Sequence, residues 1–192
     1  MQIDFKSAAL KSFPFPYFSM EKSIPKEKQI EMLEWMENSA PWKLIEADFY
    51  EQYEFSLLEY DFPSPISEFC SKKSIDYIKN NLSLIFGVNF KDKCEVTAHK
   101  LIKGQTIRIH NDFLPGEETH RLLIQLNRNW IDEYGGKLMI FNGPEPEDIV
   151  DIIDPESGSI QGFAISKKSH HAVSTVHGGE RFTVVYSFFS EI

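Results

Sequence analysis

Three short pieces of the chain carry residue types that together suit one kind of chemistry. They are His110-Asn111-Asp112, then His171, then Arg181-Phe182-Thr183. Two imidazoles and one carboxylate are the set that holds non-haem Fe(II) by one face and leaves the remaining coordination positions open. His110 and Asp112 are two residues apart at the end of a strand-like run, so extended backbone is expected to turn both side chains to one face, with Asn111 pointing away. Alone, a His-x-Asp triplet is weak evidence, because such a pair is more often a simple hydrogen bond. The histidine that opens the alternating run His171-Ala172-Val173-Ser174-Thr175-Val176 adds the missing third donor. Arg181 follows ten residues later. Its planar fork suits a carboxylate, and Thr183 shares its face two residues on, so a hydroxyl can join the guanidinium. Without the histidines, Arg181 would read as a surface charge after the Gly178-Gly179 turn.

Those residues need a scaffold, and the pattern after Asn89 supplies one. Short runs at Glu95 to Ile102, Thr106 to His110, Leu122 to Leu126, Lys137 to Phe141, Ile160 to Ile165, Ala172 to Val176 and Phe182 to Phe189 are bounded by Gly, Pro, Asn and Asp. Many short strands so spaced predict an all-β sandwich or barrel, and a jelly roll shields the strand edges while leaving one mouth open. The first ~90 residues are mixed. Pro25 stands where a helix can begin, with Met32, Leu33, Trp35 and Met36 behind it and Pro41 beyond its end. Tyr53, Phe55 and Leu57 alternate as a half-buried strand should. Ile75, Ile78, Leu82, Ile85 and Phe86 form one helical stripe, closed by Gly87 at the capping position. That stripe predicts a helix packed on a sheet.

In these motifs, and in their order, the chain resembles the 2-oxoglutarate- and Fe(II)-dependent dioxygenases, especially the prolyl-hydroxylase-like branch. The resemblance covers roughly residues 94 to 189, from the lead-in Gly104 to His110, through Arg121 to Asn127 with Trp130, Gly135-Gly136-Lys137-Leu138 and Gly158 to Phe163, to His171-Ala172-Val173 and Val176 to Arg181. It implies a double-stranded β-helix (jelly roll), mainly β within an α+β chain with flanking N-terminal helices. It implies Fe(II) held by His110, Asp112 and His171, with His171 preferred to His170 because it keeps the offsets to Val173, Val176 and Arg181. It implies 2-oxoglutarate as cofactor, gripped at its far carboxylate by Arg181 and Thr183, and a hydroxylase or desaturase rather than a halogenase, since related halogenases lack the carboxylate present here as Asp112. Relatives often carry a tyrosine just before the Leu-Asn pair; Ile124 and Gln125 stand there instead, so the other donors to that carboxylate are left open. The implied reaction hydroxylates a C–H bond, first of all in a prolyl or other peptidyl side chain, while 2-oxoglutarate and O2 become succinate and CO2. A free amino acid or small natural product is the second candidate substrate.

The bulk numbers fit that expectation. A chain of 192 residues with 42% apolar residues, 16 Phe and 7 Tyr is sized for one domain over 1–192, divided here into supporting helices and strands over 1–90 and a β-helix core over 91–192. A net charge of −9 argues against a non-specific grip on nucleic acid. No apolar run reaches the length of a signal peptide or the ~20 residues of a membrane span, so a soluble, cytoplasmic protein without a membrane partner is expected. Cys70 and Cys94 are read as reduced, mostly buried thiols. His99, His120 and His177 are read as structural or solvent-facing. Glu117-Glu118 is evenly balanced between lining the substrate entrance and forming a solvated turn. Asn142 to Asp148 predicts an exposed hairpin connection, and Trp130 a cover over the barrel end. Two rival readings use the same residues: a non-catalytic jelly-roll module that binds metal or ligand, and a metal-dependent hydrolase, which leaves Arg181 and Thr183 unexplained.

Overall fold

A computed structural model describes residues 3–191. Eleven strands form one antiparallel sheet curled nearly into a barrel, with three helices against its outer face. In chain order the elements are β1 (Tyr17–Met20), α1 (Lys26–Asn38), β2 (Lys43–Ala47), β3 (Tyr50–Ser56), α2 (Ser64–Cys70) and α3 (Lys72–Phe86). They continue with β4 (Phe90–Leu101), β5 (Ile107–His110), β6 (His120–Gln125), β7 (Leu138–Phe141), β8 (Ile149–Ile153), β9 (Ile160–Ala164), β10 (His171–Val173) and β11 (Arg181–Ser190). The sheet runs β1-β9-β6-β11-β4-β3-β5-β10-β7-β8, with β2 paired to β3. Its two broad walls meet at one register pair, Tyr50 with Ile107, where β3 hands over to β5. The fold is the expected jelly roll, with β1, β2 and β3 of the N-terminal segment lying in the sheet itself.

Two-residue periodicity divides each central strand between two environments. On β11, Phe182, Val184, Tyr186 and Phe188 face outward and are 2% exposed or less. They join Leu122 and Ile124 of β6 and Val96 and Ala98 of β4 in the main apolar core under the helices. Arg181, Thr183, Val185 and Ser187 face the barrel interior. Helix α3 closes the outer layer. The Ser71 side chain caps its first turn by accepting from the Ser74 amide at 3.2 Å. Gly87, at φ +68°, ends it in the left-handed conformation that costs a side chain dearly. Ile78 and Leu82 are fully buried, and burial of each such side chain contributes about 1.5–3 kcal/mol. Tyr186 donates its hydroxyl to the Phe69 carbonyl at 2.7 Å, tying α2 to the sheet.

Some elements differ from the sequence expectation. The run from Ala172 to Val176 leaves the ladder after Val173, and Val176 returns only as an isolated bridge to Gly135. β1, β2 and β8 were not apparent in the sequence. β2 and β8 are edge strands with little buried surface, so neither shows a clean alternation. The stretch 142–148 is the exposed connection between β7 and β8, as its composition predicts. Cys70 and Cys94 are free thiols. Among the described residues, no helix is long and apolar enough to cross a membrane.

Candidate active site

His110, Asp112 and His171 converge at the mouth of the barrel, and one donor atom from each lies within 4.8 Å of the others. His110 ends β5 and His171 begins β10, and the two are direct partners in the antiparallel ladder. Asp112 arrives by a different route from the one expected. β5 stops at His110, and Asp112 sits beyond it at φ +57°, so a left-handed residue rather than strand alternation brings its carboxylate back. Aspartate is among the few side chains that tolerate that conformation, at about 1–2 kcal/mol. Asn111 secures the bend: its Oδ1 accepts from the Phe113 amide at 3.1 Å and its carbonyl accepts from the Ser169 hydroxyl at 2.9 Å. His170, the neighbour of His171, does not line the cavity.

Hydrogen bonding fixes the two imidazoles. The Nδ1 of His110 lies 2.8 Å from the Arg108 carbonyl, and the Nδ1 of His171 lies 2.7 Å from the Ser169 carbonyl. A carbonyl can only accept, so each Nδ1 carries the hydrogen, and in the neutral ring Nε2 is left with a lone pair. Burial lowers the His171 pKa despite the nearby Asp112, which keeps that ring neutral. Yet Nε2 of His110 is 3.3 Å from Asp112 Oδ1, and Nε2 of His171 is 3.1 Å from Asp112 Oδ2. Three electron-rich atoms therefore face one point, an arrangement that asks for a cation among them. Phe49 stacks on His110 at 4.4 Å between ring centroids, and Phe163 packs against His171 at 4.7 Å, so both rings are also held from the side.

A second residue set stands behind the triad. Arg121 donates through NH1 to Asp112 Oδ2 at 2.6 Å, and through Nε and NH2 to the two Glu118 oxygens at 2.9 and 2.6 Å. Burial raises the Asp112 pKa, but the Arg121 guanidinium outweighs it and holds the carboxyl well below its usual range. Burial likewise opposes the Arg121 charge, and Asp112 and Glu118 more than restore it. Glu118 thus lines the site, whereas Glu117 is exposed.

Arg181 lies deeper, only 4% exposed. Its Nε donates to the Gly136 carbonyl and its NH1 to the Thr183 hydroxyl, both at 2.8 Å. Thr183 donates onward to Gln125 Oε1 at 3.0 Å, Gln125 to Gln161 at 2.9 Å, and Gln161 to Ser159 at 3.1 Å. Among the described residues no carboxylate pairs with Arg181, and burial alone pulls its pKa down to about 10. A buried guanidinium with no counter-ion is an anion site in waiting. Gly136 makes the close approach feasible: at φ +62°, an added Cβ would stand 3.0 Å from Arg181 Cδ and 3.0 Å from the Trp130 ring. Triad, Arg121 and Arg181 all open on one cavity of about 300 Å³.

Several of these residues were missed or misread in the sequence. Arg121, Leu123 and Gln125 share the parity that faces inward along β6, so an inward arginine was legible from alternation. Gln125 occupies the position where the resemblance leads one to look for a tyrosine. His99 is neither purely structural nor solvent-facing but lines the cavity, with burial and the two arginines pushing its pKa to about 3. His120 is structural, wedged between Phe86 and Phe90, and His177 is exposed. Trp130 packs with Leu101 and Val176, against the same end of the barrel as Arg181.

Residues 96–189 match the family model of the 2OG-Fe(II) oxygenase superfamily. No curated protein sequence matches the chain. Among solved structures, a Pseudomonas putida prolyl-4-hydroxylase superposes with a TM-score of 0.75 at 14% identity, over 92% of this chain and 93% of that one. A Trichoplax adhaerens prolyl hydroxylase in complex with a hypoxia inducible factor oxygen degradation domain peptide fragment gives 0.75 at 13% identity, over 90% and 83%. A viral collagen prolyl hydroxylase from Paramecium Bursaria Chlorella virus-1 gives 0.61 at 14% identity, over 92% and 96%. Likeness at these identities shows a shared fold.

Proposed function

The chain belongs to the 2OG-Fe(II) oxygenase superfamily and is a 2-oxoglutarate-dependent dioxygenase, and on that premise we propose that His110, Asp112 and His171 hold the Fe(II), that Arg181 and Thr183 receive the far carboxylate of 2-oxoglutarate, and that the oxidised group is a peptidyl side chain, prolyl before others. When bound, Fe(II) and 2-oxoglutarate supply the oxidising power: O2 and 2-oxoglutarate are converted to succinate and CO2, and one oxygen atom enters a substrate C–H bond. The observation that carries the residue assignment is the pair of imidazoles whose Nδ1 hydrogens are committed to backbone carbonyls, leaving two Nε2 lone pairs and a carboxylate aimed at one point.

The chain's own residues do the rest of the positioning. Arg121 holds Asp112 ionised and fixed through Oδ2 while Glu118 fixes Arg121, so the carboxylate is not free to rotate. Arg181 offers a paired charge-assisted grip, and Thr183 and Gln125 orient it through a continuous hydrogen-bonded row. Phe49, Phe163, Leu123, Val185 and Leu138 wall the cavity and exclude water from the reacting face. The three prolyl hydroxylases of similar fold, one of them solved with a peptide, support a peptidyl prolyl substrate. A cavity of about 300 Å³, at the lower end of small-molecule sites, supports the same chemistry on a free amino acid or small natural product as the second reading.

The test is succinate formation from 2-oxoglutarate in air with Fe(II), followed by untargeted mass spectrometry for products heavier by one oxygen atom. Wild type should form succinate even without added substrate, and Asp112→Ala should not. Equal succinate from both proteins would refute the assignment.

A further inference from the structure

The cavity has a wall that the iron and co-substrate reading leaves without a role. Glu54 of β3 pairs in register with His99 of β4, His99 with Thr183 of β11, and Thr183 with Gln125 of β6. These four side chains form one row on the inner face, and adjacent strands are spaced ~4.8 Å, which places Glu54 about 10 Å from the co-substrate end at Thr183. Gln52 lies two residues before Glu54 on the same face and is 3% exposed.

Hydrogen bonding at this wall is one-sided. Gln52 Nε2 donates to Glu54 Oε2 at 2.8 Å and lies 3.3 Å from His99 Nδ1. That leaves His99 to donate from Nε2, 3.1 Å from the Thr97 hydroxyl and 4.0 Å from Glu54 Oε2. Gln52 Oε1 is buried with no partner. Among the described residues no lysine or arginine pairs with Glu54. The wall therefore presents a carboxylate with an amide donor but no cationic partner among the described residues, beside an orphaned amide oxygen.

The charge balance in the cavity points the same way. Its lining includes the carboxylates Asp112, Glu118, Glu54 and Glu95 against the guanidiniums Arg121 and Arg181. Glu95 is paired with Lys93 at 3.0 Å, and Arg121 is committed to Asp112 and Glu118. Fe(II) and the two carboxylates of 2-oxoglutarate cancel each other, so loading the site does not neutralise Glu54.

We infer that Gln52 and Glu54 form a subsite for a positively charged nitrogen of the substrate, an ammonium or a guanidinium, which supplies several N–H donors at once. The inference rests on the oxygenase reading and names the substrate class for it. Two sources of that nitrogen fit the same chemistry, the amino group of a free amino acid or chain end and a basic side chain within a peptide. A neutral His99 between Glu54 and Thr183 separates the substrate cation from the co-substrate anion, so that each charge finds its own partner.

The experiment measures binding by calorimetry without O2, on the full chain loaded with Fe(II) and 2-oxoglutarate. Four probes form two matched pairs: prolinamide against N-acetylprolinamide for the amino source, and Nα-acetylargininamide against Nα-acetylcitrullinamide for the side-chain source. The cation of at least one pair should bind about tenfold or more tightly than its neutral partner, as expected when a hydrogen bond gains a full charge. Which pair responds identifies the source. Glu54→Gln should remove most of that preference, and Glu54→Asp should restore part of it. Equal binding within both pairs, absence of binding by all four at millimolar concentration, or a preference that survives Glu54→Gln would overturn the inference. The wild-type comparison decides even if a variant fails to fold. Succinate formed by wild type without substrate reports on the oxygenase reading alone, so the subsite can fail while that reading stands.

Discussion

Replacing Arg181 by methionine separates a residue kept for function from one kept for stability. The guanidinium is 4% exposed, and burial pulls its pKa down to about 10, with no carboxylate partner among the described residues. At 1.36 kcal/mol per pKa unit, holding the charge there costs the ligand-free fold about 3 kcal/mol. Methionine removes that cost and fills similar volume, but it leaves the Gly136 carbonyl and the Thr183 hydroxyl without their donor, at about 1–3 kcal/mol. The ligand-free variant should therefore be as stable as wild type, or up to about 2 kcal/mol more stable. Co-substrate binding should move the other way. Two charge-assisted hydrogen bonds to a carboxylate are worth about 3–5 kcal/mol together, or roughly two to three and a half decades in Kd. Urea unfolding without O2, with Fe(II) present and with or without 2-oxoglutarate, reads both effects in one assay. At a hundred times its Kd the co-substrate should stabilise wild type by about 2.7 kcal/mol and the variant hardly at all. A variant that loses more than about 3 kcal/mol when ligand-free, yet keeps its stabilisation by 2-oxoglutarate, would make Arg181 a structural residue and not an anion site.

Three further outcomes follow from the same contacts. Arg121→Leu strands the partly buried Asp112 and Glu118 carboxylates and should cost about 3 kcal/mol in urea unfolding, with part recovered in the Arg121→Leu/Glu118→Gln double variant; strictly additive effects would show that the cluster is not coupled. Burial lowers the His120 pKa to about 4, so the unfolded chain takes up a proton near pH 6.5 that the folded chain refuses until near pH 4. Stability should fall as pH drops through that window, by up to about 3 kcal/mol from this residue, and His120→Phe should flatten that part of the curve. Gly136→Ala places a methyl 3.0 Å from Arg181 Cδ in a left-handed turn, and should raise the 2-oxoglutarate KM far more than it lowers the melting temperature; an unchanged KM would show that Arg181 is not held by that contact.

How much of this was legible in the sequence depends on the range of the forces involved. Alternation along β11 separated Arg181, Thr183 and Val185 from Phe182, Val184 and Tyr186, because the pleat alone sets which face a residue joins. The α3 stripe and its Gly87 cap were equally local. Convergence of His110, Asp112 and His171 was expected from motif order, yet the means was not, since the left-handed Asp112 depends on the Asn111 and Ser169 contacts across the fold. Arg121 could have been read by extending the parity of β6 back from Leu123, although its ion pair with Asp112 could not. Glu54 and Gln52 were invisible as site residues, because only the β3–β4 and β4–β11 pairings bring them to the row that contains Thr183.

Whether the two imidazoles and Asp112 hold the iron is decided by an anaerobic optical titration of the 2-oxoglutarate-loaded protein with Fe(II). A visible charge-transfer band should grow to one iron per chain in wild type and be absent in His171→Ala and in Asp112→Ala. Full-strength bands in those two variants, at the wild-type iron concentration, would place the metal elsewhere in the protein.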